Sequence, residues 1–423
     1  MNFFKVLPEK QISSSDMNLS YLGGGKSVFT YDYEYPKLII NKDDNPLIAF
    51  VDEKSAKLYL ADFSGQNVRF LYSQPSHDEK SEWRWPIIFE KDNKLYFAIF
   101  SEDVPWLRTQ RIKVYLFDQD SKKLNLEEDK VFNLSQGCEL WGVYPYNSKI
   151  MFIGRCDYFA LRDIPSRMFS AVPTFYHNAS FLFDSKDSKK WLTRQSIEEP
   201  GRYNVYNQVY DVSTSGAIQA AWVRNTTTVG TKHDEIIYLS TNKNGTSWSS
   251  PIELYSVKNV GLINGHISDH INNLSLASYG NTSFVLWKDR EKGIFFSELN
   301  NGKNIEHTQI SHDLDVIVSS NFPKASTIKI AADSSGNVYT LWLENGRNDY
   351  KLHFRARIGK QWTPEDIINE GRGSAYLPDM KVDQEGNIHI IYIKLVNPHE
   401  VRKTLGDNKY GCFYMKLERQ DKR

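Results

Sequence analysis

The chain has 423 residues with 52 basic and 52 acidic side chains, so its formal charge is zero and no global field draws it to nucleic acid or to an anionic membrane. Aromatic residues make up 13% of it, and they fall in short runs bounded by Gly, Asn, Asp and Pro, which is the punctuation of strands rather than helices. This composition predicts an all-β fold, and all-β barrels and propellers use such a length as one domain.

In chain order, residues 3–12 read as a strand, and seven turn-plus-strand units follow at residues 44–50, 93–99, 147–153, 213–222, 281–287, 333–342 and 383–392. The clearest copies are Asp333-Ser-Ser-Gly-Asn-Val-Tyr-Thr-Leu-Trp342 and Asp383-Gln-Glu-Gly-Asn-Ile-His-Ile-Ile-Tyr392, where a polar turn feeds a strand ending on an aromatic residue. Short strands opened by Pro36, Pro86, Pro323 or Pro378 precede several of these turns. A further apolar strand follows each unit: 57–60, 112–117, 180–183, 235–239, 293–296, 351–354 and 411–415. A fourth, more polar strand comes next, as at 248–254 and 362–368. Four strands recurring every fifty or so residues predict a seven-bladed β-propeller, whose radial repetition leaves only short, protected edges.

The last unit lacks a fourth strand, and residues 3–12 resemble the fourth-strand stretch 359–368, so the N-terminal strand is expected to pair into the last blade and close the fold. One domain is expected over 1–423, with 1–14 as the closing strand and blades at roughly 30–74, 83–135, 138–199, 201–256, 257–313, 314–370 and 371–423. The longest insertion, residues 155–179, falls between the second and third strands of the third blade and reads as a lid, a binding loop or a surface hairpin.

Cys138, Cys156 and Cys412 are too few for a disulfide scaffold and too scattered for a structural zinc site, so a reducing compartment is expected. The first ten residues lack a signal-peptide core and cleavage site, and no run reaches the length of a membrane span. The sequence as written therefore reads as cytoplasmic, or as secreted if a leader has been removed. Asn-x-Ser/Thr triplets at Asn133, Asn178, Asn225, Asn273 and Asn281 are read as chance occurrences.

Residues 240–251, Ser-Thr-Asn-Lys-Asn-Gly-Thr-Ser-Trp-Ser-Ser-Pro, resemble the Asp-box (BNR) repeat of sialidase-like β-propellers, with Asn in place of Asp and one extra residue before Gly245. Residues 359–362 keep only the tail of that pattern. In that family the box is a hairpin between third and fourth strands, away from the catalytic funnel, so the resemblance implies architecture; a six-bladed sialidase-type ring is the alternative. Only residues 162–165, Arg-Asp-Ile-Pro, are similar to the family's Arg-Ile-Pro motif, so no catalytic role is carried over.

Loops entering the innermost strands, with those joining second and third strands, share one face of a propeller, and such loops usually carry function. The blade map gathers Arg84, Trp85, Arg155, Arg202, His266, His270, Arg290, Arg347, Arg372 and Tyr376 there as candidate ligand-binding residues. Arginine forks hold carboxylates and aromatic faces stack on sugar rings, so the set suits an acidic carbohydrate. If the chain is an enzyme, Asp157, Asp269, Tyr203 and Tyr206 are the candidate catalytic groups of a glycoside hydrolase or polysaccharide lyase. A non-catalytic platform for a protein partner is the second reading, since fold does not assign function. No cofactor is implied, because there is no Gly-rich phosphate loop, nucleophile elbow or zinc spacing, and residues 266–270, His-Ile-Ser-Asp-His, lack a third metal ligand.

Overall fold

The computed structural model describes residues 3–13, 36–41, 43–52, 57–63, 69–75, 84–91, 93–104, 109–118, 120–121, 123–133, 138–146, 149–157, 176–183, 195–197, 204–226, 232–243, 247–263, 266–267, 270–312, 327–345, 350–369, 375–396 and 410–420. They are all β and irregular structure, with no helix among the described residues. Two short strands come first, β1 (Phe4–Val6) and β2 (Lys10–Gln11). The first sheet is then β3 (Lys37–Ile40), β4 (Pro46–Asp52), β5 (Lys57–Asp62) and β6 (Arg69–Pro75), and the next β7 (Arg84–Lys91), β8 (Lys94–Val104), β9 (Thr109–Asp118) and β10 (Lys123–Asn133). A third contains β11 (Cys138–Tyr146), β12 (Lys149–Asp157), β13 (Tyr176–Phe183) and β14 (Gln195–Ser196). The fourth holds β15 (Asn204–Val212), β16 (Ile218–Thr226), β17 (Lys232–Asn242), β18 (Ile252–Ile263) and β19 (His266–Ile267), and the fifth β20 (Ile271–Tyr279), β21 (Thr282–Asp289), β22 (Gly293–Asn300) and β23 (Lys303–Ser311). The sixth has β24 (Ile328–Ala332), β25 (Val338–Asn345), β26 (Tyr350–Ile358), β27 (Gln361–Trp362) and β28 (Asp366–Ile367). The last has β29 (Ala375–Val382), β30 (Ile388–Leu395) and β31 (Tyr410–Arg419), with β1 and β2 both paired to β31. Apart from β1 and β2 on β31 and β28 on β26, neighbours in each sheet are consecutive in sequence, and wherever register is defined the pairs are antiparallel.

The chain divides into two compact units, one of Met1–Ser101, Lys113–Asp129 and Ser311–Arg423, the other of Glu102–Ile112 and Lys130–Ile310. In the first unit, β24 lies against β29, β29 against β3, and β3 against β7, so the opening strands of successive sheets adjoin. Apolar clusters fill the spaces between these sheets: Leu341, Phe354, Ile390 and Met415, then Phe50, Phe63, Ile391 and Tyr414, then Leu60, Ile88, Phe97 and Phe117. In the second unit β15 lies against β20, and Ala221, Ile237, Val285 and Trp287 share one cluster. Sheets with two apolar faces need such partners on both sides.

The expected pairing of the N-terminal strand is present. Phe4 stands opposite Arg419 and Val6 opposite Leu417, while Lys10 stands opposite Tyr414. Phe4 meets Tyr339 and Phe354 edge-on at 5.9 and 5.6 Å, and buried Ile12 joins the cluster on the other side of β31. The segment thus ties its own sheet to both neighbours.

One turn recurs where a first strand meets a second. The amide of Asp333 donates to Asn337 O and that of Gly336 to Asp333 O, both at 3.1 Å; Asp383 with Gly386 and Asn387 repeats this at 3.0 and 3.1 Å. Asn41 with Asp44 and Asn45, and Ser213 with Gly216 and Ala217, make the same two bonds. Asp333 Oδ1 also accepts from the Asn337 amide at 2.9 Å, and Asp383 Oδ1 from the Asn387 amide at 2.8 Å, which locks the turn from inside. The fourth residue is left-handed, with φ of 75° at Gly336, 81° at Gly386, 78° at Gly216 and 58° at Asp44. Gly336→Ala is therefore expected to lose about 1 kcal/mol through backbone strain alone, since nothing lies within 4 Å of an added Cβ. A urea midpoint unchanged from wild type would contradict it.

The aromatic residues that end the second strands stack on a ring of the third strand at the same rung. The pairs are Phe50 on Tyr59, Trp222 on Tyr238, Trp287 on Phe295, Trp342 on His353 and Tyr392 on Phe413, with centroids 5.4 to 6.1 Å apart. Two residues further, on the same face of four of these strands, stand Arg224, Asp289, Glu344 and Lys394. These charges find local partners: Arg224 lies over the Tyr238 ring at 4.1 Å, Asp289 meets His270, Glu344 pairs with His353, and Lys394 pairs with Glu9.

The stretch similar to the Asp-box lies between β17 and β18, the third and fourth strands of its sheet, where Ser240 Oγ donates to Ser249 O at 2.7 Å and Trp248 packs on an apolar cluster. The insertion of the third sheet is shorter than expected. Residues 155–157 continue β12 and pair with 176–178 of β13, because the polar residues there take ladder positions; 158–175 lie outside the described residues.

Candidate functional site

In the second unit, the start of β20 and the end of β21 meet β17 and β18 of the preceding sheet. Ile271 stands opposite Asp289, so first-strand start and second-strand end share one end of the sheet. Glu235 reaches this point from β17 with no exposed surface. Its Oε2 accepts the His270 and Ile271 amides at 2.9 and 2.7 Å, and its Oε1 lies 2.9 Å from His233 Nε2. A buried carboxylate is tolerable because these donors replace its water.

Asp289, also fully buried, organises the outer half of the cluster. Oδ2 accepts the Tyr255 hydroxyl at 2.6 Å, Oδ1 faces His270 Nε2 at 3.3 Å, and Oδ1 accepts the Glu291 and Lys292 amides at 2.9 and 3.0 Å. Burial pushes its carboxyl pKa up, but the bonds from His270, Tyr255 and the Glu291 amide outweigh that and hold it at about 2. The same contact raises the His270 pKa, while burial and then Asp289 raise that of Tyr255. Lys292 Nζ donates to the Tyr255 oxygen at 3.0 Å, which raises the ammonium pKa, and its side chain is 56% exposed. Tyr255 itself stacks among Trp287, Phe295 and His307 at 5.4 to 5.8 Å.

Chemically, the phenol is held protonated between an acceptor carboxylate and a donor ammonium, which disfavours it as a nucleophile. What the cluster offers to solvent is a cation of fixed direction. Arg290, exposed on the same turn, adds a second, and its amide donates to His270 O at 2.9 Å.

Of the residues expected at the site, His270 and Arg290 are brought together here. Arg84 and Trp85 open β7, Tyr376 lies near the start of β29, and Arg155 and Asp157 close β12, each at the corresponding end of its own sheet. His266 stands in β19 opposite Ile263, and half-buried Tyr206 in β15 packs against the apolar cluster of Ala221 and Val285. Arg202, Tyr203, Asp269, Arg347 and Arg372 lie outside the described residues. Sequence reading did not select Glu235, Tyr255 or Lys292. Glu235 and Tyr255 lie on strands three and four, whose approach to the next sheet leaves no local pattern. Among the described residues no group of three His, Cys, Asp or Glu side chains is arranged to hold a metal ion.

No family model matches the chain, and no curated protein matches it in sequence. In structure it is similar to a polysaccharide lyase at 12% identity, with a TM-score of 0.56 over 99% of this chain and 100% of that one. Its fold is propeller-like. A puromycin-hydrolyzing peptidase of Mycobacterium tuberculosis gives a TM-score of 0.50 at 9% identity over 86% of this chain and 50% of that one. The GH93 α-L-arabinofuranosidase of Fusarium graminearum gives 0.46 at 9% identity, with 98% of each chain covered.

Proposed function

We propose that the chain is a sialidase-like, seven-bladed β-propeller that recognises an acidic carbohydrate, with Lys292 and Arg290 holding the ligand's carboxylate. The blade count is supported by the seven sheets among the described residues, and the closure by the pairing of β1 and β2 with β31. The observation that carries the ligand reading is the pair of exposed cations on the β21–β22 turn, with Lys292 aimed by the buried Asp289 and Tyr255. A preset cation loses little side-chain freedom on binding, which is where affinity for an anion is gained. Arg155 at the end of β12 and Arg224 at the end of β16 are further cations of this face in the reading. The structural likeness to a polysaccharide lyase supports a carbohydrate ligand over other anions. Cleavage, if present, falls to Asp157, Asp269, Tyr203 and Tyr206 in this reading.

Titration calorimetry with uronic-acid oligosaccharides and their carboxyl-reduced, neutral counterparts tests this. The acidic forms are expected to bind more tightly, and Arg290→Ala with Lys292→Ala to weaken them roughly tenfold or more. Equal affinity for the neutral forms, or an unaffected double variant, would sink the reading.

A further inference from the structure

Cys138, the first residue of β11, stands directly opposite Cys156 of β12. Directly opposed residues of an antiparallel pair have Cα atoms about 4.5–5.5 Å apart, inside the roughly 4.4–6.8 Å that a disulfide spans. Two of the three cysteines of the chain thus meet at one rung. The third, Cys412, is buried in β31 of the other unit, and burial raises its thiol pKa, which makes it inert. The neighbouring rung pairs Glu139 with Arg155, and Cys156 is followed by Asp157, so the cysteine rung lies at the end of the sheet that carries two of the candidate site residues.

We propose that Cys138 and Cys156 form a cross-strand disulfide under oxidising conditions, pinning the end of β12 that carries Arg155 and Asp157. With a low-molecular-weight disulfide such as oxidised glutathione as oxidant, one cysteine thiolate attacks a glutathione sulfur and expels one glutathione thiolate. The second cysteine thiolate then attacks the mixed disulfide and expels the other glutathione. Two protein thiols lose two protons and two electrons, and one glutathione disulfide becomes two thiols. The expectation of a reducing compartment, drawn from the small number of cysteines, does not take this rung into account.

The folded chain is incubated with oxidised glutathione, then denatured, alkylated with iodoacetamide and mapped by mass spectrometry without reduction. The expected result is a single alkylated cysteine, Cys412, a cross-linked peptide joining Cys138 to Cys156, and a melting temperature roughly 5 °C above the reduced form. In Cys138→Ser the cross-link disappears and Cys156 carries glutathione, whereas Cys412→Ser keeps the cross-link. Three alkylated cysteines, or glutathione on both Cys138 and Cys156 with no cross-linked peptide, would overturn the proposal.

Discussion

Deletion of residues 1–12 is expected to leave a chain that is insoluble or melts more than 10 °C below the full-length protein. The segment removes Phe4 from its contacts with Tyr339 and Phe354 and takes buried Ile12 out of its cluster, each worth about 2–3 kcal/mol of apolar burial. It also strips the ladder partners of β31, leaving an unpaired edge between residues 410 and 419. A third loss comes from Glu9, whose carboxylate accepts both the Tyr392 hydroxyl and the Lys394 ammonium. Lys394 is nearly buried, so removing its counter-ion alone, as in Glu9→Ala, should cost about 2–3 kcal/mol. The sum approaches the whole stability of a typical domain, about 5–15 kcal/mol. Thermal unfolding of the deletion and of Glu9→Ala checks the expectation, and a synthetic peptide of residues 1–13 should restore part of the loss. A deletion variant with an unchanged melting temperature would show that the segment merely decorates the fold.

Glu235→Ala is expected to cost about 3–5 kcal/mol and to loosen the second unit where β20 begins. The substitution leaves the amides of His270 and Ile271 and the ring of His233 without the carboxylate that satisfies them in a buried place. Glu235→Gln keeps one acceptor oxygen and should lose about half as much. Because His270 also supports Asp289, the alanine variant should weaken acidic-saccharide binding beyond its effect on stability, through misdirection of Lys292. Urea unfolding together with amide exchange at residues 270 and 271 measures both parts. Protection of those amides at wild-type level would count against the role given to Glu235.

Features written within ten consecutive residues were legible from the sequence. The turn at Asp333 or Asp383 is specified by a side-chain acceptor, a left-handed fourth residue and an Asn, all adjacent, so its repeats could be aligned by eye. The pairing of residues 4–11 with β31 was legible for a different reason: the last repeat lacked a strand that the N-terminus resembled. Aromatic ends such as Trp287 were visible, though their stacking on Phe295 follows only once register is known. The Tyr255–Asp289–His270 cluster was not legible as a unit, because its members come from two sheets and each alone looks like an ordinary strand residue. His270 and Arg290 were noticed by position, but the buried carboxylate that holds the His270 amide, Glu235, begins an apolar run that reads as plain strand.

That residues 4–11 and 413–419 belong to one sheet has a consequence for synthesis. Residues 4–11 are translated long before their ladder partners. They must therefore wait, unpaired, while all the intervening sheets are made, and closing so long a loop is slow. The unit built largely from Lys130–Ile310 has no such dependence and is complete in the growing polypeptide before residues 413–419 are made. Vectorial folding should thus settle this unit first and join residues 4–11 to 413–419 later, which makes products truncated between the two natural clients for chaperones.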